Sequence, residues 1–136
     1  MTTETLVTEN SSRNSPVFPA LIAIVAWILP GLGHLCLRRW SRAVSFFVAA
    51  GGLALAGYAM HGQAFNPGSG DPFGTLGFVA DACSGAFYLL PSVLTIAPPD
   101  LSHAAGDYGT RFIAAAGIVN LLAVIDAYGT ARGERG

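Results

Sequence analysis

The chain has 136 residues, of which 52% are hydrophobic and 11% are charged, and its formal net charge is −1. Soluble domains carry roughly 25% charged residues, so these side chains cannot cover a water-exposed surface of this size. The near-neutral charge gives no reason to expect a nucleic-acid-binding protein. The length suits one membrane domain without a second, soluble one.

Residues 1–16 are rich in Thr, Ser, Asn and Glu, a composition that predicts a disordered polar tail. The charges of the first dozen residues are Glu4 and Glu9, so the basic segment that opens a secretory signal is missing. We therefore expect the apolar run that follows to be a retained span.

Two long runs without Asp, Glu, Lys or Arg come next, from Asn14 to Leu37 and from Ala43 to Gly70. Each can cross a hydrocarbon core about 30 Å thick, which takes roughly 20 helical residues. The arginines and the tryptophan between them are typical of the headgroup level. The pattern predicts a membrane hairpin with spans at 17–37 and 41–60, and Pro30 predicts a kink in the first span.

Two further runs follow, separated by loops rich in Gly and Pro, and they predict spans at 73–96 and 109–131 before a polar tail at 132–136. Asp81 in the third run costs about 2.5–3.5 kcal/mol to insert, which its apolar residues offset at roughly 0.3–0.6 kcal/mol each. A re-entrant segment is the alternative there. The sequence thus predicts an all-α fold, an integral membrane bundle of four transmembrane helices over 17–131 with a kinked first helix.

Four spans place both termini and the His61 loop on one side of the membrane and the Arg38 loop on the other. The side of the Arg38 loop then carries four of the seven arginines. The positive-inside rule therefore predicts that the Arg38 loop is cytoplasmic.

Two polar residues lie deep in the predicted spans. At 1.5 Å per helical residue, Asp81 lies about 12 Å and Asn120 about 15 Å below the same membrane surface. We predict that they form a buried polar pair, facing the bundle interior within one helical turn of each other. Asp81 then has two interpretations, a neutral or hydrogen-bonded carboxyl on a packing face, or a proton or ion site of the kind that intramembrane acids often form.

Other polar residues are expected near the membrane surfaces. Asp126 lies about 6 Å below one surface and is predicted to be an interfacial residue close to Arg132. His34 is predicted at the opposite surface, either capping the broken first helix or joining a polar cluster that binds a lipid headgroup or a partner. The predicted members of this interfacial cluster are Arg42, Asp107 and Arg111.

The sequence predicts no enzyme, because it contains no nucleophile elbow, zinc-protease motif, P-loop or dinucleotide fingerprint. Neither a metal nor a cofactor is expected. Cys36 and Cys83 lie in apolar runs and are interpreted as inert packing residues rather than a disulfide.

The segment from Pro30 to Arg39 resembles the Pro-Gly-x-Gly-His hairpin of the two-transmembrane-helix domain family. The matching stretches near the carboxyl end are 108–112, 116–122 and 125–128, and they are similar to an uncharacterised four-span bacterial family. This resemblance implies a multi-pass protein of the bacterial inner membrane with no assigned activity. Those relatives prefer Tyr at the position of Cys36 and Gly at the position of Arg38. The hairpin motif residues here are Pro30, Gly31, Gly33, His34, Arg38 and Arg39.

The second span carries small residues at four-residue spacing, Ala50 with Ala54 and Gly52 with Ala56. Such spacing lets another helix approach closely. The function we expect is that of a structural or accessory subunit that packs with other membrane proteins or with itself. The alternative is a minor ion or proton conductor centred on Asp81.

Overall fold

The structure, a computed structural model, describes residues 16–65, 72–90, 100 and 102–134. These residues form helices and no strand. The helices are α1 (Val17–Ile28), α2 (Leu32–Cys36), α3 (Trp40–Ala59), α4 (Pro72–Cys83), a 3-10 helix (Gly85–Leu89) and α5 (Ala104–Ala131). The predicted disorder of the amino-terminal tail falls on residues 1–15, which lie outside this description, as do residues 91–96 of the predicted third span.

The frame of the fold is an antiparallel pair, α3 and α5. A methyl group at Gly57 of α3 would lie 2.6 Å from the carbonyl oxygen of Gly109, so the two backbones touch near the start of α5. At the other end of the pair, Arg42 of α3 bonds Asp126 of α5. At 1.5 Å per residue, α3 is about 30 Å long and α5 about 42 Å.

The first apolar run enters this frame and turns back. Helix α1 runs antiparallel to α5, with Ile22 and Ala26 packed against Ala127. After α1 ends, α2 folds back along it, because a methyl group at Gly33 would lie 2.6 Å from the Ala26 Cβ and 3.2 Å from the Ile22 carbonyl oxygen. Both ends of this run therefore lie at one end of the bundle. We call it the arginine end, since Arg38, Arg39, Arg42 and Arg132 lie there.

The third apolar run enters from the opposite end, which we call the Gly109 end. Helix α4 runs parallel to α5 as far as the carbonyl of Cys83, which bonds Asn120 near the middle of α5. The chain has returned by residue 100, whose N–H donates to the carbonyl of His61 at 3.0 Å. The described chain is therefore at the Gly109 end both at the start of α4 and again at residue 100.

Two helices of the described residues, α3 and α5, are long and apolar enough to cross a membrane, and they indicate membrane association. Four spans are therefore not confirmed. The kink predicted at Pro30 is instead a reversal, because Gly31 adopts a left-handed φ of +89° and redirects the chain onto α1. In consequence the His61 loop lies at the end opposite the described terminal residues, whereas four spans would have placed them together.

Polar and apolar side chains are distributed in an unusual way. Among the residues that the structure describes, four polar side chains are at most 1% exposed, whereas large apolar ones on α1, α3 and α5 face outward. Val48 is 62% exposed and Leu122 is 55% exposed. The buried polar residues are His34, Asp81, Ser84 and Asn120. The outer surface of the bundle is thus apolar, and the interior holds the polar groups.

Candidate functional site: the Asn120 junction and the His34 triad

The broken segments meet at Asn120, halfway along α5. The Asn120 amide nitrogen donates to the carbonyl of Trp27 at 3.0 Å and to that of Cys83 at 2.7 Å. These carbonyls belong to the last turns of α1 and α4, which reach the middle of the bundle from opposite ends. We call Trp27, Cys83 and Asn120 the Asn120 junction.

The chemistry of the Asn120 junction follows from helix ends. The last carbonyls of a helix lack intrahelical partners and carry the negative end of the helix dipole. Two such ends would repel each other in a dry interior, and the two N–H groups of one amide neutralise both. The amide orientation is fixed by this arrangement, because the opposite one would set an oxygen against two carbonyl oxygens.

Further contacts tie the two segments to each other and to α5. The Trp27 indole Nε1 donates to the carbonyl of Ala82 at 3.1 Å. Gly85 lies against the carbonyl oxygens of Trp27 and Ile28, and Gly117 of α5 lies against that of Ala80. Larger side chains at these glycines would separate the backbones, so the junction depends on small residues as well as on the amide.

Asp81 and Asn120 are both 0% exposed, but they do not bond each other. One carboxyl oxygen of Asp81 accepts from the N–H of Phe65 at 2.6 Å. The second oxygen, Oδ1, has no hydrogen-bond partner among the described residues, and neither has Oδ1 of Asn120. Each residue thus serves its own part of the interior: Asn120 joins the two segments, and Asp81 holds the chain that follows α3.

A second polar group lies at the arginine end. His34 Nε2 is 2.9 Å from Asp126 Oδ2, and Arg42 donates to the same oxygen at 3.0 Å. Because a carboxylate only accepts, Nε2 of the imidazole is the donor in this contact. The ring of His34 is fully buried and stacks on Phe46 with centroids 5.1 Å apart. We call His34, Arg42 and Asp126 the His34 triad.

The His34 triad corrects two sequence predictions. His34 and Asp126 were expected at opposite surfaces, but the reversal at Gly31 brings α2 back to the end of α5. Asp126 therefore bonds His34 and Arg42, whereas Arg132 pairs with Glu134 at 3.2 Å.

The predicted interfacial cluster of Arg42, Asp107 and Arg111 is wrong as a unit. Arg111 bonds Asp107 at 3.0 Å within the first turns of α5. That pair lies at the Gly109 end, because α3 and α5 are antiparallel and Arg42 begins α3. The cluster is therefore divided between the two ends of the bundle.

The residues of the hairpin motif build the reversal. Pro30 and Gly31 form the turn, and both are buried. Gly33 brings α2 against α1, and His34 enters the triad. Arg38 and Arg39 connect α2 to α3, and Arg38 adopts a left-handed φ of +58°. This is the position at which the resembling families prefer glycine, so the backbone keeps a conformation that glycine favours.

The sequence interpretation missed Trp27, and it placed Asp126 near the membrane surface without its partners His34 and Arg42. Asp126 had a detectable signal, since the residues four positions away, Leu122 and Thr130, give it no cation on its own helix. A carboxylate inside an apolar helix with no cation one turn away is expected to find its partner on another element of the fold. Trp27 gave no signal, because it contributes a backbone carbonyl that any residue has.

A surface group marks the Gly109 end. Asp100 accepts hydrogen bonds from the amide and the hydroxyl of Ser102, and His103 lies 3.0 Å from its second oxygen. The Ser102 hydrogen bonds hold the pKa of Asp100 below its ordinary value. These contacts order the chain just ahead of α5.

The side chains that commonly bind metals are dispersed. The residues that the structure describes include no group of three or more His, Cys, Asp or Glu that could hold a metal ion. Both cysteines are free; Cys36 is exposed and Cys83 is partly buried.

The sequence model of a family of unknown function, DUF6677, matches residues 21–136. The match covers most of the chain and includes every residue of the Asn120 junction and the His34 triad. The chain therefore belongs to this family. No curated protein and no solved structure matches it.

Proposed function

We propose that this member of DUF6677 is a non-enzymatic, multi-pass protein of the bacterial inner membrane that packs against other membrane proteins or a second copy of itself. The observation that carries the proposal is the distribution of polarity. Its large apolar side chains face outward and its buried polar ones lie in the interior. In water this surface would promote aggregation, whereas in lipid it is the favourable one.

The membrane arrangement that fits the fold has two spans and two re-entrant segments. Helices α3 and α5 cross the bilayer, while α1 and α4 enter from opposite surfaces and stop at the Asn120 junction. Non-helical backbone at membrane depth is tolerated where protein buries it, and here α3 and α5 do so. At about 18 Å, the 12-residue helices α1 and α4 are too short to cross alone.

This arrangement also sharpens the orientation. Among the described residues, the arginine end carries four arginines and the Gly109 end carries Arg111. The positive-inside rule then places the arginine end, with the Arg38 loop, in the cytoplasm. The four-span prediction would have divided the arginines almost evenly.

Labelling from outside the cell separates the two topologies. Ser41 lies at the arginine end and Ser102 at the Gly109 end, whereas four spans would put both on one side. Single cysteines at these positions, in a background with Cys36→Ser and Cys83→Ser, would be treated with a membrane-impermeant maleimide on intact cells. We expect Ser102→Cys to react and Ser41→Cys to react only after lysis. Equal labelling of both would contradict the re-entrant arrangement.

The packing role rests on the outward face of α3. Small residues recur there at alternating spacings of four and three, and all of them are exposed. A methyl group added at Gly52 would have no other atom within 4 Å. Small faces let helices approach closely in lipid. The residues of this outward stripe are Ser45, Ala49, Gly52, Ala56 and Ala59.

Gly52→Leu tests the packing role without disturbing the monomer, because the added side chain extends into open space. We expect the wild type to form a stable oligomer, or a complex with a membrane partner, in mild detergent. Gly52→Leu should weaken that association at least tenfold, about 1.4 kcal/mol. Analytical ultracentrifugation and crosslinking in membranes measure the effect.

Val79→Phe is the matched control, since Val79 is exposed on α4 away from the outward stripe. It should leave association unchanged. A wild-type protein that stays monomeric in membranes and in detergent would contradict the packing role. So would a Gly52→Leu variant that associates as tightly as the wild type.

A second candidate function is minor ion or proton conduction centred on Asp81. It is favoured by the buried carboxyl oxygen that lacks a partner among the described residues, since intramembrane acids often mark ion pathways. Flux into liposomes should then fall in Asp81→Asn relative to the wild type. Equal flux in both would remove this candidate.

A further inference from the structure

A groove runs along the outside of the α3–α5 pair at the arginine end. It has a volume of about 610 Å³ and is lined by Arg42, Phe46, Leu122, Ile125 and Asp126. The helices are antiparallel, so Arg42 lies opposite Asp126 and Phe46 lies opposite Leu122. The groove is therefore polar towards the end of the bundle and apolar towards its middle.

The charge around the polar part of the groove is not balanced. Among the described residues, four arginines lie at this end with two acids, Asp126 and Glu134. Glu134 pairs with Arg132, and Asp126 accepts from Arg42. Neither Arg38 nor Arg39 forms an ion pair with a described residue. Among the described residues the cations at this end thus outnumber the acids, and an anion would complement them.

Arg42 is placed to meet such an anion at the mouth of the groove. Its side chain is 39% exposed, and its bond to Asp126 uses one of the five guanidinium N–H groups. Buried His34 bonds the same oxygen of Asp126, so the carboxylate that Arg42 meets is held from within the bundle. The guanidinium can therefore bind a phosphate without leaving Asp126 unpaired.

We infer that this groove binds an anionic phospholipid, with one acyl chain along Phe46, Leu122 and Ile125 and the phosphate against Arg42. An apolar groove open to a bilayer is filled by lipid, and basic residues near the membrane surface attract anionic headgroups. The inference rests on the proposed membrane location. It goes beyond packing, since it assigns a lipid class and a headgroup contact to one face of the protein.

The test is a titration of the delipidated protein in neutral detergent with dioleoylphosphatidylglycerol or dioleoylphosphatidylcholine, followed by native mass spectrometry. We expect at least a tenfold preference for phosphatidylglycerol. Arg42→Gln should abolish the preference, whereas Arg111→Gln, a matched charge removal at the Gly109 end, should keep it. Equal affinity for the two lipids in the wild type would overturn the inference.

Leu122→Trp keeps the test decisive if Arg42→Gln does not fold. It fills the groove without touching a charge, and Leu121→Trp is its control on an exposed neighbouring position outside the groove lining. Only Leu122→Trp should lower phosphatidylglycerol binding, by at least tenfold. Identical binding by the two variants would contradict an acyl chain in the groove.

Two further measurements identify what has failed if binding is not seen. Inorganic phosphate at millimolar concentration should not displace the lipid; displacement would show a free-anion site instead and overturn the inference. Fractionation without detergent tests the location separately. A folded protein in the aqueous phase would contradict the proposed membrane location, whereas a membrane-inserted protein without lipid preference contradicts only the lipid site.

Discussion

The two broken segments reach the same point in the bundle, but they are held by different interactions. The first, α1 with α2, turns at Gly31 and is anchored at the arginine end by the hydrogen bond between His34 and Asp126. The second, α4 with the 3-10 helix, has no ion pair among its described residues. It is held by Asn120, by the close contact at Gly117, and by the N–H of Phe65 on Asp81.

This difference shows two ways to bury the end of a helix. The first segment carries its own signals, a Pro-Gly turn and a histidine that meets an acid. The second depends on residues elsewhere in the chain, chiefly on α5. Mutations at the shared junction should therefore affect both segments, whereas mutations at Gly31 or in the triad should affect the first segment selectively.

The largest effect is expected for Asn120→Leu, which removes both hydrogen bonds of the junction. The carbonyls of Trp27 and Cys83 would stay buried without donors, at about 1–3 kcal/mol each. We expect the free energy of unfolding in detergent to fall by about 2–6 kcal/mol. Denaturant titration followed by circular dichroism measures the change.

Leu121→Ala is the control for Asn120→Leu, because Leu121 is the next residue on α5 and its side chain faces outward. It should cost less than about 1 kcal/mol, since that side chain gains little from burial. If Asn120→Leu were as stable as this control, the amide would not be what joins α1 to α4.

The next effect is expected for Gly31→Ala, which acts on the first segment only. The residue has a left-handed φ of +89°, and an added methyl group would collide with the carbonyl oxygen of Ala43. Left-handed strain costs about 1–2 kcal/mol, and overpacking costs about 1–3 kcal/mol. Both costs lower the stability of Gly31→Ala, and a lower thermal midpoint of unfolding than that of the wild type would measure the loss.

Gly133→Ala separates strain from collision, because Gly133 has a φ of +79° but nothing within 4 Å of the methyl position. The free energy of unfolding of Gly133→Ala should fall only by the cost of the strained backbone, about 1–2 kcal/mol. Equal losses at Gly31 and Gly133 would show that the turn at Gly31 does not pack against the start of α3 as described.

Substitution of the two acids, Asp126 and Asp81, should lower the stability less, and by different amounts. Asp126→Asn weakens two charge-assisted bonds, to His34 and Arg42, and should cost about 1–3 kcal/mol. Asp81→Asn keeps an oxygen for the N–H of Phe65 and should cost less than about 1 kcal/mol. Thermal unfolding of the two variants side by side measures the difference, and a larger loss for Asp81→Asn would reverse the contrast between the segments.

The helical class, the apolar runs and the importance of Pro30, Gly31 and His34 could be predicted from the sequence. Hydropathy reports that a run is apolar, but a helix that crosses a membrane and one that turns back at its middle have the same composition. The Pro-Gly pair permits the turn at Gly31, but the close packing of that turn against Ala43 of α3 is not visible in the hydropathy of the run. The four-span prediction takes every apolar run to cross the membrane, and it is not confirmed, because two helices of the described residues are long enough to do so.

The candidate site was predictable only in part, for the same reason. Asp81 and Asn120 were both expected to face inward, and both are buried. Their partners are backbone groups, the N–H of Phe65 and the carbonyls of Trp27 and Cys83, which leave no mark in the sequence. The pairing of His34 with Asp126 required knowing that α2 returns to the end of α5.

The smallest effect is expected at Arg38, where the chain leaves α2 in a left-handed conformation with a φ of +58°. Arg38→Gly relieves about 1–2 kcal/mol of strain in the folded state. It also favours the unfolded state by about 0.5–1 kcal/mol, because glycine has more conformational freedom there. The free energy of unfolding should therefore rise by about 0.5–1 kcal/mol. Arg39→Gly removes the same charge one residue later, where φ is −99°. Arg39→Gly relieves no strain, and its free energy of unfolding should fall by about 0.5–1 kcal/mol. Opposite shifts of the thermal midpoint in these two variants would show that backbone conformation, rather than charge, governs the return of the first segment; equal shifts would contradict the left-handed turn at Arg38.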